Sequence, residues 1–351
     1  MRPSGSVIQL EFVHNPYSII QVVMKALIIG ANGFVGACLT KRLLKMKWKV
    51  SVFVRSESKL SKLGKEAGQV KIFTGNVTDI GSLKEAIKGI DVVFNCAAAL
   101  PYHHLPDKNY WESNVKGVNN IMEVCNNLKV KRVVHISTVG IYGPASGGII
   151  NENSEFKISD VYSKTKLEGE KIVWGYIKKG FPATIIKPTI AYGPGDLRPG
   201  FLNLFVLISK NMFILVGKGN NYFHTIYIEN LVDVLVLAAT EDNAIGEDFI
   251  IGDYPCPTMK KIVKTIARVQ GKKTYPFYIP MIIAYIVGIF FDFFERLGLP
   301  SPLNTRRVKF ITQDKRYNTE KARKVLGYRA RIGLSEGIKR TFDWYRKERL
   351  V

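Results

Sequence analysis

Residues Lys25 to Gly36 read KALIIGANGFVG. A short apolar run ends at Gly30, and glycines return at Gly33 and Gly36, where a helical pattern begins. This is the pattern of a buried strand that turns sharply into a helix. Gly30 permits the turn, Gly33 lets backbone approach a diphosphate, and Gly36 lets the helix lie close on the strand. The first helical N–H groups are then free to hold phosphates at the positive end of the helix dipole. Gly30, Asn32, Gly33, Phe34, Val35 and Gly36 are therefore the candidate phosphate contacts. The spacing is GxxGxxG, not the GxGxxG of the commonest dinucleotide fingerprint. Its weight comes from its setting: a strand before, a helix after, and a second strand about 20 residues on.

Outward from this turn the chain alternates. Helical stripes are predicted over 34–46, 80–88, 109–128 and 160–179, and strands over 50–54, 70–73, 91–94, 131–136 and 183–187. Strands and helices of this length in strict alternation mean a doubly wound α/β fold of Rossmann type, a parallel sheet with helices on both faces. Beyond about residue 190 the alternation weakens, with helices predicted over 201–211 and 230–239 and one more strand over 248–251. The expected division is a dinucleotide-binding domain over 24–190 and a smaller, partly interleaved substrate-binding region over 191–351, whose segments return to the first domain. Residues 1–23 precede the first core strand and read as an upstream extension or an additional ordered strand. They carry neither an uninterrupted apolar core nor a small-residue cleavage site, so a secretory signal is not expected.

Of 351 residues, 46% are hydrophobic and 23% charged, the composition of a folded globular chain. Its four cysteines, Cys38, Cys96, Cys125 and Cys256, have no paired spacing, so neither a disulfide framework nor a metal site follows, and a reducing cytoplasm suits them. The formal charge is +22, and from residue 301 onward fifteen Lys and Arg face five Asp and Glu. Either an acidic partner or a lysine-rich surface accounts for this. Nucleic acid is not expected, because no RNA-reading or zinc-finger motif accompanies the charge.

The chemistry gathers at the strand ends. Arg55 and Ser56 follow the second strand, where an acidic residue would hold a ribose 2′-hydroxyl and an arginine accommodates a 2′-phosphate. Arg55 thus favours NADP(H) over NAD(H), the other reading being a surface arginine. Ala97 and Ala98, small residues after the fourth strand, suit a ribose lying against backbone. Ser137 and Thr138 stand at the end of the fifth strand, where ligands sit in open α/β sheets. Tyr162 and Lys166 lie four apart on a predicted helix and so share a face. A tyrosine of pKa about 10 is a poor base at neutral pH. A neighbouring ammonium and a cationic nicotinamide both favour the phenolate. Tyr162 can then take an alcohol proton as hydride departs, or return one in reduction, with Ser137 or Thr138 orienting the reacting oxygen. His103 and His104 fall in a predicted loop over 101–107 and read as solvated or substrate-facing.

These residues together resemble the extended short-chain dehydrogenase/reductases of the NAD-dependent epimerase/dehydratase superfamily. The likeness runs over residues 24–340. It rests on the three glycines, Asn95-Cys-Ala-Ala, Asn114-Val-Lys-Gly, Ser137-Thr138 with Ile141-Tyr142-Gly143, Tyr162 with Lys166, and Lys187-Pro188 with Tyr192-Gly-Pro-Gly. The resemblance selects Thr138 over Ser137 and adds Asn114 to the catalytic set of Thr138, Tyr162 and Lys166. It implies that Lys166 also holds the nicotinamide ribose, that Pro188 abuts the nicotinamide, and that Asn76 and Val77 flank the adenine. It further implies a homodimer through the helices at 109–128 and 160–179.

Sugar-nucleotide members usually carry Arg-Pro after the sixth strand and a later arginine for the diphosphate. Here the first is Lys187-Pro188, and Gly217 to His224 contains no arginine. Gly219-Asn220-Asn221, Ile226-Tyr-Ile-Glu-Asn230 and Tyr317-Asn-Thr-Glu-Lys321 are instead similar to the 3β-hydroxysteroid dehydrogenase and dihydroflavonol reductase branches. The leading expectation is an oxidoreductase acting on a secondary alcohol or ketone of a hydrophobic, sterol-, lipid- or flavonoid-like substrate. The alternatives are a sugar-nucleotide 4-epimerase or dehydratase with tightly held NAD, and a non-catalytic nucleotide-sensing or assembly protein. The apolar stretch 278–294 is too short to cross a bilayer, which takes about 20 residues. It reads either as a core helix or as an interfacial helix that makes a cytoplasmic protein peripheral to a membrane.

Overall fold

The computed structural model describes residues 23–101, 105–143, 148–272, 278–296 and 304–351. The expectations for the N-terminal extension and for His103 and His104 lie outside these residues.

Seven parallel strands form one sheet in the order β10-β6-β5-β4-β1-β2-β3. They are β1 (Lys25–Ile29), β2 (Lys49–Val54), β3 (Lys71–Thr74), β4 (Val92–Asn95), β5 (Arg132–Ile136), β6 (Ala183–Pro188) and β10 (Asp248–Ile251). The order reverses between β1 and β4, the topological switch point of the sheet. A crevice opens there at the carboxyl ends of the strands. Side chains alternate across the sheet with the two-residue period of a strand. Ala26 and Ile28 enter one core, shared with Leu39 and Leu43 of α1 (Phe34–Lys45) and Leu231 and Leu235 of α7 (Ile228–Thr240). Leu27 and Ile29 enter the other, shared with α2 (Ile80–Ile87), α4 (Gly117–Asn127) and α5 (Val161–Ile177). The chain is thus a doubly wound parallel α/β protein.

Two local departures from the sequence reading bear on the site. The helix expected over 109–128 is α3 (Asp107–Trp111), a π-helical turn (Glu112–Lys116) and α4 in unbroken succession. The wider turn falls where α5 presses closest: a Cβ on Gly169 would stand 2.2 Å from the Asn114 carbonyl oxygen. Residues Glu57–Gln69, given no structure from the sequence, form 3-10 turns that seat Leu60 and Leu63 in the first core.

After β6 the chain leaves the sheet and comes back to it. Strands β7 (Ile190–Tyr192) and β9 (Thr225–Tyr227) pair in parallel, and α6 (Pro199–Ser209) lies between them in sequence. Then α7 and β10 rejoin the main layer, so β10 becomes its last strand beside β6. Strand β8 (Leu215–Val216) pairs with β11 (Tyr278–Ile279). Four further helices follow β10: α8 (Met259–Val269), α9 (Met281–Arg296), α10 (Thr305–Thr312) and α11 (Glu320–Val325). The final helix, α12 (Leu334–Lys347), packs on α8.

Two glycines of α5 make opposite cases. Gly169 meets the Asn114 backbone, whereas Gly175 is exposed with nothing within 4 Å of a Cβ placed there. Gly169→Ala is expected to cost about 1–3 kcal/mol through overpacking. Gly175→Ala is expected to gain about 0.5–1 kcal/mol by relieving the helix of a flexible residue. Urea unfolding of the two variants measures both.

Candidate active site

The first wall of the crevice is the turn after β1. Gly30 has φ +89, a conformation that favours glycine, and a Cβ there would lie 2.9 Å from the Ala97 backbone. The loops leaving β1 and β4 therefore touch. A Cβ on Gly36 would stand 2.4 Å from the Gly30 carbonyl oxygen, so α1 starts hard against the turn. Gly33 is the N-cap of α1 and supplies no side-chain cap, and the first turn carries no acidic residue. The positive end of the helix is thus open to an anion. A dinucleotide diphosphate fits this cradle of Gly30, Asn32, Gly33, Phe34, Val35 and Gly36, and a side chain at Gly30 or Gly36 would collide with the backbone that shapes it. Phe34 is buried. The Arg198 guanidinium lies 4.9 Å from its ring centroid, and Gly195 (φ +91) passes nearby, so the chain beyond β7 closes over the start of α1.

Arg55 is exposed and stands just beyond β2. Since Ile29 pairs with Phe53, Arg55 is level with Ala31 in the glycine turn. Asn76 is exposed after β3, its side chain accepting from the Thr78 N–H at 3.1 Å. Val77 is fixed against α4: its carbonyl accepts from Asn120 Nδ2 at 3.0 Å, and its side chain abuts Gly117. Ala97 and Ala98 are half-buried on the loop after β4, and Pro188 is half-buried at the end of β6.

The second wall is the end of β5 against the head of α5. Asp160 caps α5 through the Ser163 N–H at 2.7 Å. Thr138 caps a 3-10 turn (Val139–Tyr142), its Oγ1 accepting from the Gly140 N–H at 3.0 Å. Gly140 lies over Ser163, so Thr138 and the first turn of α5 share one corner. Tyr162 is half-buried there, and Lys166 follows one turn on, 2% exposed, its Nζ donating to the Ile136 carbonyl at 2.7 Å. Burial pulls the Lys166 ammonium down to about 8, against the opposing pull of the Glu170 carboxylate. Cys96, beside it, is pushed up to about 12 by burial and stays a thiol. His135 is held neutral by burial and by the Lys166 charge, with Nδ1 3.1 Å from Asn95 Nδ2.

Asn114 belongs to the π turn and serves the chain itself. Its amide oxygen accepts from the Ala99 N–H at 2.8 Å, and Nδ2 donates to the Ala99 carbonyl and to Thr165 Oγ1 at 3.2 and 3.1 Å. It pins the loop carrying Ala97 and Ala98 to the helix carrying Tyr162 and Lys166. Ser137 is buried and committed elsewhere, donating to Glu170 Oε2 at 2.6 Å. Glu170 and Asp248 are the residues that sequence reasoning missed. Glu170 Oε1 meets Lys187 Nζ at 2.9 Å, and Lys187 also reaches Asp248 Oδ2 at 2.5 Å and Tyr142 Oη at 2.9 Å. A lysine near the end of a buried strand, with a glutamate four residues after Lys166, was the available signal.

A phosphate cradle at one strand end and a buried lysine with a tyrosine on the same helix at another define a dinucleotide-dependent enzyme of the doubly wound class. The family model for the NAD dependent epimerase/dehydratase family matches residues 26–252, and the chain belongs to that family. It is similar to the decarboxylating sterol-4-alpha-carboxylate 3-dehydrogenase of Candida albicans. The identity is 28% over 350 residues, spanning 93% of this chain and 99% of that protein. It is also similar to the 2-alkyl-3-oxoalkanoate reductase of Shewanella oneidensis, 29% identical over 91% of this chain and 85% of that protein. Among solved structures, UDP-glucuronic acid 4-epimerase from Bacillus cereus in complex with NAD has a TM-score of 0.74 at 23% identity. It covers 93% of this chain and 99% of the other, a likeness of fold. The chain is an NAD(P)-dependent oxidoreductase-type enzyme of the extended short-chain class.

Carbon-13 NMR of protein labelled at the lysine ε-carbon is expected to show a lysine titrating near pH 8, and Lys166→Arg is expected to remove that titration. A Lys166 that titrates with the surface lysines would contradict the burial described.

Proposed function

We propose that the enzyme transfers hydride between NADP(H) and a secondary alcohol or ketone of a hydrophobic substrate, with Tyr162 as the proton-transfer group. The observation that carries this reading is the corner at the end of β5. There Thr138, Tyr162 and the buried Lys166 converge beside the loop that Gly30 touches. When bound, the nicotinamide supplies the hydride acceptor or donor. The protein's own residues do the rest. The glycine turn and the open end of α1 hold the diphosphate; Ala97, Ala98 and Pro188 shape the wall along the ribose and nicotinamide; Asn76 and Val77 flank the adenine. Lys166, fixed to the Ile136 carbonyl, presents positive charge to the Tyr162 face and lowers the cost of the phenolate. Thr138 orients the reacting oxygen, and Asn114 sets the spacing of loop and helix rather than meeting the substrate.

The exposed Arg55, level with the glycine turn, supports NADP(H) over NAD(H). The domain division at about residue 190 enters the same reading, as does a homodimer through α4 and α5. The relatives named for sterol-4-alpha-carboxylates and 2-alkyl-3-oxoalkanoates support an apolar substrate. So does α9. Ile282, Ile286, Ile289 and Phe293 form one face of this helix and are each 60–70% exposed. The opposite face is committed to α10, with Ala284 buried against Val308, Gly288 close to the Thr305 backbone, and Asp292 accepting from Thr305. No helix among the described residues is long and apolar enough to cross a membrane.

The occupant we assign to the outer face is one leaflet of an anionic bilayer. Residues 197–228 and 254–291 contain no Asp or Glu, and α8, in the second of these stretches, carries Lys260, Lys261, Lys264 and Arg268. An exposed apolar helix face within a stretch of sequence rich in cations suits a headgroup layer. The enzyme we propose is thus a cytoplasmic protein peripheral to a membrane that holds its substrate.

Three measurements test this function. Tyr162→Phe is expected to lower kcat by about 10²–10⁴ with NADPH binding retained. Unchanged turnover would favour a sensing or assembly role, and stoichiometric NAD on the purified protein would favour internal epimerisation. Arg55→Asp is expected to move the NADPH to NADH preference at least tenfold toward NADH, and an unchanged ratio removes Arg55 from the adenosine pocket. In flotation assays the protein is expected to rise with phosphatidylglycerol-containing vesicles, and Ile286→Asp/Ile289→Asp to stay in solution.

A further inference from the structure

The Ser137–Glu170–Lys187–Asp248 chain has no counterpart among the roles assigned above, yet it touches all the strand ends that matter. Glu170 lies one helical turn beyond Lys166 and is 1% exposed. One of its oxygens takes the Ser137 hydroxyl, adjacent in sequence to Thr138; the other takes the Lys187 ammonium, adjacent to Pro188. Lys187 is shared with Asp248 on β10. Asp248 is shared in turn with the half-exposed Lys321 at 2.9 Å. A carboxylate this deeply buried costs several kcal/mol unless it is paired and hydrogen-bonded, and here it is both.

The groups around Lys166 narrow what that carboxylate does. Those that interact with Lys166 are Glu170 on α5, Cys96 at the end of β4 and His135 on β5, while Tyr162 lies one turn earlier on the same helix. Burial keeps the Cys96 thiol and the His135 imidazole uncharged. Among the described groups that interact with Lys166, Glu170 is thus the charged one of opposite sign.

We propose that Glu170 is a positioning residue for the reaction: locked between Ser137 and Lys187, its carboxylate is the buried countercharge that keeps Lys166 an ammonium behind Tyr162. The inference rests on reading Tyr162 and Lys166 as the proton-transfer pair. It adds that the charge of the pair is set from below, by a residue that contacts neither substrate nor cofactor. The same carboxylate couples that charge to position, because Ser137 and Lys187 carry Thr138 and Pro188 on their neighbouring peptides.

The test is the pH profile of kcat/KM. Removing a negative charge one turn away weakens the protonated form of Lys166, so its pKa falls and the alkaline limb of activity moves to lower pH. Glu170→Gln is expected to shift that limb down by about one to two pH units. The amide can still accept from Lys187 and donate to the Ser137 hydroxyl, and Lys187 keeps Asp248. Ser137→Ala, which removes the hydrogen bond and leaves the charge, is expected to lower turnover with the limb unmoved. A limb unmoved in Glu170→Gln, or moved as far in Ser137→Ala, overturns the proposal.

Should the Gln variant not accumulate as folded protein, Glu170→Asp decides. Folded with an unmoved limb it supports the proposal; unfolded or with a displaced limb it refutes it. Failure here is separable from failure of the proton-transfer reading. An active Tyr162→Phe enzyme removes the latter, whereas an inactive Tyr162→Phe enzyme beside an unmoved Glu170→Gln limb removes only this inference.

Discussion

Lys166 carries the burden of the structure: an ammonium taken out of water and fixed on a strand-end carbonyl. An isolated charge in such a place would shed its proton or distort its surroundings. It is tolerated because the β5 end supplies an oxygen, α5 supplies a carboxylate one turn away, and the helix is anchored just before the lysine. Asp160 caps that helix, and Asn114 ties Thr165 to the loop after β4. The close approach of Gly169 to the Asn114 carbonyl permits the contact, and the π turn at 112–116 is how the neighbouring helix accommodates it. Sheet, helix pair and loop are thus mutually dependent at one corner.

The glycine turn answers to a different constraint. Gly30 and Gly36 are small because backbone atoms of Ala97 and of Gly30 itself stand where a side chain would be. The result is an open helix terminus a short way from the Lys166 corner. A negatively charged group bound at that terminus is complementary to a field already built into the fold.

The strand–turn–helix at residues 25–36 and the alternation to residue 188 were legible because each is a local pattern, as is the four-residue spacing that sets Tyr162 and Lys166 on one helix. Strand β10 was legible for the same reason, its three residues after Asp248 being apolar. What stayed hidden is non-local. Nothing in the spacing of Ser137, Glu170, Lys187 and Asp248 announces that three strand ends and a helix bring them together. The division of labour between Ser137 and Thr138 follows from Glu170, which engages the first and leaves the second at the corner. The exposed face of α9 was half visible: the apolar run was plain, but which side α10 would cover depends on Ala284, Gly288 and Asp292 meeting Thr305 and Val308.

Strand β10 also governs how the chain comes into being. Lys187 on β6 finds Asp248 sixty-one positions later, and the ladder of β6 is completed by the same strand. Until that segment leaves the ribosome, the nascent sheet ends in an unsatisfied hydrogen-bonding edge, with Lys187 matched by Glu170 but not yet by Asp248. Such an edge is open to addition by another chain until β10 closes it.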